Sequence, residues 1–356
     1  MRGGEKCLEV FCELFPDATL FTLLHNKGSV SDTIEAMDIK TSFIQNLPKA
    51  ATKYRRYLPL FPKAIERFDL AGYDLVLSSS HCVAKGVKVS NTARHICYCY
   101  TPVRYVWVFF DEYFGEFNPV ERAAISTFLK RFKRWDLKSN EGVDFFVAIS
   151  DNIKDRIKRF YDRDADVIYP PVDAGGLKPS TTEEDFYLVV SALVPYKRID
   201  IAIEAFNRLG KRLVVIGTGN SEKDLKKIAG PNIEFLGWAY DEAIKGYFAR
   251  CKGLIFPGEE DFGIVPVEAQ ACGKPVIAYA KGGALETVVG INKKTLNQEP
   301  TGVFFYEQTP QALIEAVRYF ESIKDKFDPV ALRSNALRFD RALFKEKIKK
   351  YINERV

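Results

Sequence analysis

Histidine is scarce in this 356-residue chain, with three in all, and no apolar run reaches the length of a membrane-spanning helix. So few imidazoles argue against a His-rich metal centre. No signal peptide is expected from the residues that open the sequence. The seven cysteines are scattered, mostly inside apolar runs (Cys97, Cys99, Cys251), without the spacing of a disulfide framework or a zinc site. A reducing, cytoplasmic setting is therefore expected. Tandem repeats, low-complexity tracts and nucleic-acid motifs are missing too. No G-x-G-x-x-G follows an early strand, which argues against a dinucleotide-dependent oxidoreductase.

What is present describes a globular protein with two cores. The chain is 47% hydrophobic and 28% charged, and its length is comfortable for two domains. The net charge of +5 is modest, but basic residues cluster. "KAATKYRRYLPLFPKAIER" (49–67) holds six Lys/Arg among Tyr and Phe, and "LKRFKRWDLK" (129–138) is similar. Such a surface can meet an anionic membrane, or it is a solvated helix face. No nucleic-acid partner is expected.

Short apolar runs alternate with amphipathic stretches. They predict strands at 18–24, 40–45, 73–79, 95–100, 144–149 and 166–169, then at 186–191, 212–216, 233–236, 253–256 and 275–279. Helical patterns cover 198–209 and 221–229. Near-continuous apolar strands separated by helices mean parallel sheets covered on both faces. Two such series imply an α/β protein of two doubly wound domains, 1–170 and 171–338. The Pro- and Gly-rich stretch 170–185 reads as the linker. An amphipathic basic helix at 339–356 is expected to pack back on the first domain.

"GEEDFGIVPVEAQACGKPV" (258–276) carries the most chemistry. Strand 253–256 ends at Pro257, Pro266 suits a first helical turn, and Gly273 suits its end. Residues 258–265 are then a loop at the carboxyl end of a parallel strand, where open α/β sheets bind ligands. Backbone N–H groups near Gly263 and Ile264 would face an anion such as a diphosphate. Glu268, expected in the first helical turn, could accept hydrogen bonds from ribose hydroxyls. Glu260 would lie nearer whatever hangs from the phosphate. A ligand with a phosphate in the middle and hydroxyls at both ends is a nucleotide sugar.

"EDFGIVPVEAQACGKPV" resembles the E-x7-E signature of retaining glycosyltransferases of family 4, which have the GT-B fold: two Rossmann-like domains facing a central cleft. "LVPYKRIDIAIEAFNRL", "VVIGTGN", "FLGW" and "GGALE" follow in that family's order. "RGGEK", "SSSHCVAKGV", "YTPVRYVW" and "VIYPPVD" resemble the mannosyltransferases that build O-antigen-type polysaccharides. The resemblance implies roles. Lys197 would neutralise the donor diphosphate, with Arg198 beside it. Gly217 and Gly219 would let the backbone approach the phosphate or nucleoside. Glu268 would hold the ribose and Glu260 the transferred sugar, while Phe262, Gly263 and Ile264 offer backbone groups. Gly3 and Gly4, in a first loop, would lie near the diphosphate and acceptor. Lys85, Tyr100 and Arg104 would line the acceptor side. Plainer readings stay open: a tight turn for the Gly217/Gly219 pair, a surface lysine for Lys197, an ion pair for Arg104.

Departures from the family are visible. Ala192 stands where an arginine is usual, and Tyr100 where a histidine is usual. His81 is the nearest spare imidazole and is a candidate catalytic group, or else a structural strand-end histidine. The Gly-Gly-Glu motif starts at residue 3 with no strand before it, so the first strand of the N-terminal domain is expected to be missing, or that domain rearranged. "DRDAD" (162–166) resembles a metal motif of the other main glycosyltransferase fold, but it reads as a solvated turn. The expected function is metal-independent, retaining transfer of mannose from GDP-mannose to a lipid-linked or polysaccharide glycan, peripherally at the inner face of the cell membrane. A UDP-hexose donor and an inactive nucleotide- or glycan-binding relative are the alternatives.

Overall fold

A computed structural model describes residues 3–107, 119–291 and 299–356. Arg2 of the first glycine motif lies outside them. Two compact units divide the chain: Met1–Pro171 with Phe344–Val356, and Val172–Leu343. No described helix is long and apolar enough to cross a membrane.

The first described element is a helix, Gly3–Leu14. Gly3 and Gly4 are therefore helical and not part of a loop after a strand. Next come β1 (Thr19–Thr22) and β2 (Asp38–Thr41), which pair in parallel as a two-stranded sheet of their own. The run expected as strand at 40–45 leaves β2 early, because Phe43–Asn46 turns into a 3-10 helix under a Ser42 cap. The main sheet of this unit has the order β3-β4-β5-β6, all parallel: Leu75–Ser80, Arg94–Cys99, Phe145–Ala148 and Ala165–Val167. Helix Asp151–Tyr161 follows β5, opened by the Ser150 hydroxyl accepting from the Ile153 N–H at 3.1 Å. Asp162 closes it in the left-handed region (φ 51°). The acids of 162–166 bind protein cations: Lys158 pairs with Asp162 and Asp164, and Asp166 accepts from Tyr351 and Arg355. The C-terminal helix Arg341–Asn353 thus lies against β6, and its Phe344 ring meets those of Phe11 and Tyr98.

The second unit holds six parallel strands in the order β12-β11-β10-β7-β8-β9. These are Gly302–Phe305, Val276–Tyr279, Leu254–Phe256, Tyr187–Val190, Leu213–Ile216 and Ile233–Gly237. The strand Gly302–Phe305 was not foreseen; it pairs with β11 from Val276↔Gly302 to Tyr279↔Phe305. Strands such as β8 are buried at every residue, as expected for a sheet covered on both faces. The order runs outward in both directions from β7 and β10, so the sheet has its topological switch point between those two strands. The stretch expected as a linker is folded beyond Pro171. Ala174 and Leu177 are buried, and Val172 bridges to Asp340.

The first unit has an unusually polar interior. His95 on β4 is fully buried, with Nδ1 donating to the Gly142 carbonyl (2.7 Å) and Nε2 2.9 Å from Ser78 Oγ. Loss of hydration lowers its pKa to about 4, against the favourable Gly142 bond and the Asp144 charge. Its folded pKa lies below the unfolded value of about 6.5, so the unfolded chain takes the proton first. Stability is complete above pH 6.5 and falls as pH drops toward 4. Denaturant unfolding should show the native chain losing about 2–3 kcal/mol more than His95→Gln between pH 7 and 4.5. Equal slopes in the two proteins would refute this origin.

Candidate active site

The switch point places two loops side by side. The one after β7 passes through Pro195–Lys197, a 3-10 turn, to Arg198, whose left-handed backbone (φ 53°) opens the helix Ile199–Leu209. The one after β10 runs from Pro257 to Gly263, whose positive φ (95°) opens the helix Ile264–Ala271. Lys197 Nζ forms an ion pair with Glu260 Oε1. The two side chains are 14% and 22% exposed, so the pair is sheltered but reachable.

Backbone contact holds the loops there. A Cβ on Gly258 would lie 3.0 Å from the Lys197 Cα and carbonyl oxygen. The Gly283 N–H donates to the Glu260 carbonyl at 2.8 Å, and Glu260 bridges to Gly282. A Cβ on Gly282 would come within 2.3 Å of the Glu260 oxygen, and one on Gly283 within 2.2 Å of the Phe262 Cα. Glu259 pairs with Lys281 at 3.0 Å. These clamping glycines were given no role from sequence, although "GGALE" marked the place of two of them.

The other donor-side residues fall into different groups. Arg198 is turned away into a local fork with Asp200 (Nη2 to Oδ2, 3.0 Å). Phe262 buries its ring against Phe339 (centroids 5.4 Å apart), leaving its backbone as the part that can meet a ligand. Gly263 and Ile264 start the helix, whose early N–H groups lack partners within it. Because the helix begins at Ile264, Pro266 is its third residue, where no helical donor is needed. Glu268 consequently sits in the second turn, not the first, half-buried. Gly217 (φ 136°) and Gly219 lie after β8. Their missing side chains make room for the chain itself: a Cβ would meet the Ser191 oxygen at 1.8 Å and the Leu193 oxygen at 2.1 Å. The pair lets two neighbouring loops touch, so the open approach expected for a phosphate is already filled on that side.

In the first unit, the carboxyl ends of β3 and β4 gather another group. Tyr100 Oη lies 2.7 Å from Ser79 Oγ and donates to the Gly4 carbonyl at 3.1 Å. The surrounding protein pushes its pKa well above the ordinary phenol value, so it keeps its proton. His81 is exposed; nearby protein and then the Arg104 charge lower its pKa, against Glu5, which favours the imidazolium. His81, Arg104, Tyr100 and Gly4 therefore share a neighbourhood. Lys85 does not belong to it. It is buried (1% exposed), with Nζ 2.9 Å from Asp136 Oδ1, and cannot line an acceptor surface. Its place in an apolar run hid this, since a lysine is rarely buried unless paired. Among the described residues, no three His, Cys, Asp or Glu side chains gather as a metal site.

Residues 178–336 match the family model of the glycosyl transferases group 1. The matched residues lie within the second unit and cover most of it. An uncharacterized glycosyltransferase of Methanocaldococcus jannaschii is 33% identical over 151 residues, 41% of this chain and 43% of that protein. The O-antigen chain mannosyltransferase C of Escherichia coli is 27% identical over 167 residues, 42% of this chain and 43% of that one. The chain thus matches under half the length of these curated relatives. The crystal structure of Anabaena HepE in complex with UDP aligns with a TM-score of 0.72 at 18% identity, over 99% of this chain and 96% of that chain. That likeness extends the GT-B fold beyond the family match to nearly the whole chain.

The glycine contacts make a direct prediction for the second unit. Gly217→Ala should destabilise the protein by at least about 3 kcal/mol, because the methyl would strike the Ser191 carbonyl from a backbone angle that alanine disfavours. Chemical denaturation would measure it. A loss under about 1 kcal/mol would mean that the β7 and β8 loops separate freely.

Proposed function

We propose that the chain is a retaining mannosyltransferase that moves mannose from GDP-mannose onto a hydroxyl of a lipid-linked or polysaccharide glycan. The observation that carries this reading is the Lys197–Glu260 pair at the switch point, beside the start of the helix Ile264–Ala271, whose first N–H groups have no partner within the helix. Similarity to a mannosyltransferase of O-antigen chains supports the sugar.

The pair suggests an exchange of partners. Before the donor arrives, Glu260 holds the Lys197 ammonium in place. The diphosphate then takes the ammonium, and the freed carboxylate turns to the sugar hydroxyls. The bond between the sugar C1 and the diphosphate oxygen breaks. The acceptor oxygen bonds to C1 on the same face, and its proton passes to the departing diphosphate. Lys197 and the helix N–H groups stabilise the charge growing on that leaving group, which is where preorganised donors contribute most. Lys197 would supply the countercharge without a divalent metal. His81, Tyr100 and Arg104 would meet the acceptor.

The basic segment 49–67 would hold the protein at an anionic membrane surface at the cytoplasmic face. Lys53, Tyr54, Arg55 and Arg56 are consecutive and exposed, and no acid occurs between residues 50 and 65. Each cation near such a surface contributes about 1 kcal/mol. Sedimentation with phosphatidylglycerol vesicles should therefore weaken at least tenfold when Lys53, Arg55 and Arg56 become Ser. Unchanged binding would assign the patch to solvation alone.

The donor assay is a thermal-shift titration with GDP-mannose, GDP, UDP-glucose, UDP and NAD, with EDTA present. Stabilisation by the guanine ligands is expected. Stabilisation by the uridine ligands instead would overturn the mannose reading, and binding without turnover would favour an inactive relative. Lys197→Ala and Glu260→Ala should each lower transfer by about 10²–10³-fold; near-normal rates in either would sink the assignment.

A further inference from the structure

The buried ion pair of the first unit has no part in that scheme. Its centre is Asp136, fully buried near the end of the helix Pro119–Lys138. Asp136 Oδ2 accepts from Trp107 Nε1 at 2.8 Å and from the Tyr161 hydroxyl at 2.9 Å. Its Oδ1 lies 2.9 Å from Lys85 Nζ. The ammonium also donates to the Asp136 carbonyl (2.7 Å) and to Ser139 Oγ (2.5 Å), and it sits 4.7 Å from the Tyr161 ring centre.

Stability alone does not account for such a pair. Removing both charges from water is costly, and well-packed apolar residues of similar volume often serve a core as well or better. The pair does something that apolar contacts cannot, because its bonds are directional. Lys85 belongs to the turn Ala84–Gly86 after β3, four residues past His81. Trp107 ends the short helix Arg104–Trp107 after β4. Tyr161 ends the helix after β5. One carboxylate therefore ties the segments that leave three consecutive parallel strands.

We infer that Asp136 is a positioning residue: it sets the β3 and β4 loops so that His81 and Arg104 are held in one fixed arrangement toward the acceptor. The inference rests on the acceptor-side reading above for its function, and on the bonds to Lys85 and Trp107 for its geometry. Asp136→Asn keeps an acceptor oxygen but removes the charge that Lys85 needs. Tyr161→Phe removes one donor and leaves the ion pair.

The test uses the full chain, well below the melting temperature of each variant. Nucleotide affinity, transfer kinetics and the NMR titration of the three histidines are measured together. In Asp136→Asn, nucleotide affinity should stay within twofold, kcat/KM for the acceptor should fall at least tenfold, and the His81 titration should move. Tyr161→Phe should lower kcat/KM for the acceptor by about threefold and move the His81 titration the same way, with nucleotide affinity again within twofold; if Asp136→Asn fails to fold, this variant decides. A folded variant with a lower melting temperature but unaltered transfer and His81 titration would overturn the inference, leaving Asp136 a purely structural group. If the native chain transfers no sugar, the functional reading fails, and the His81 titration still decides whether Asp136 positions the loop.

Discussion

Two opposite charges meet where the strand order of the second sheet reverses, and the rest of the candidate site is arranged around that meeting. Lys197 follows β7 and Glu260 follows β10. These strands are neighbours in space but far apart in the chain, because connections on either side of the switch point run in opposite directions. The two loops leave the sheet at the same end because the strands are parallel. A cation and a carboxylate are thus pre-placed at a sheltered edge. Either one left alone there would carry an uncompensated desolvation cost.

Such proximity demands backbones closer than side chains allow. Gly258, Gly282 and Gly283 press the Glu260 loop against its neighbours, and Gly217 and Gly219 do the same for the loops after β7 and β8. Their conformational freedom is costly in the unfolded chain. In return the loops share backbone hydrogen bonds, such as Gly283 N–H to the Glu260 carbonyl. A rigid frame of this kind suits charge stabilisation, since groups already in place need not reorganise as charge develops.

Both units bury apolar clusters together with a few polar and charged side chains. The second packs an apolar cluster that includes Leu193, Phe206, Val215, Leu313 and Phe320 around its sheet. The first places His95, Lys85 and Asp136 inside, where the Lys85–Asp136 ion pair and named hydrogen bonds hold them. Directional bonds of that sort fix the loops they reach. In the first unit, that fixing falls on the loops that carry His81 and Arg104.

Alternating apolar runs were enough to read parallel strands and two doubly wound domains, since a strand buried on both faces must be apolar throughout. The acidic loop and its helix end at Gly273 were legible for the same reason: proline and glycine act locally. The missed β12 is a short edge strand, and its start at Gly302 obscured it. Glu268 was misplaced by one turn because Gly263, not Pro266, sets the helix start. Lys85 was misread because a lysine looks solvent-bound until its partner, 51 residues away, is seen beside it. Local sequence determined the elements, their periodicity and the residue types that carry chemistry. Only the tertiary structure decided which charges meet and which glycines make room for backbone. Those outcomes depend on contacts between segments distant in the chain, and no local pattern encodes them.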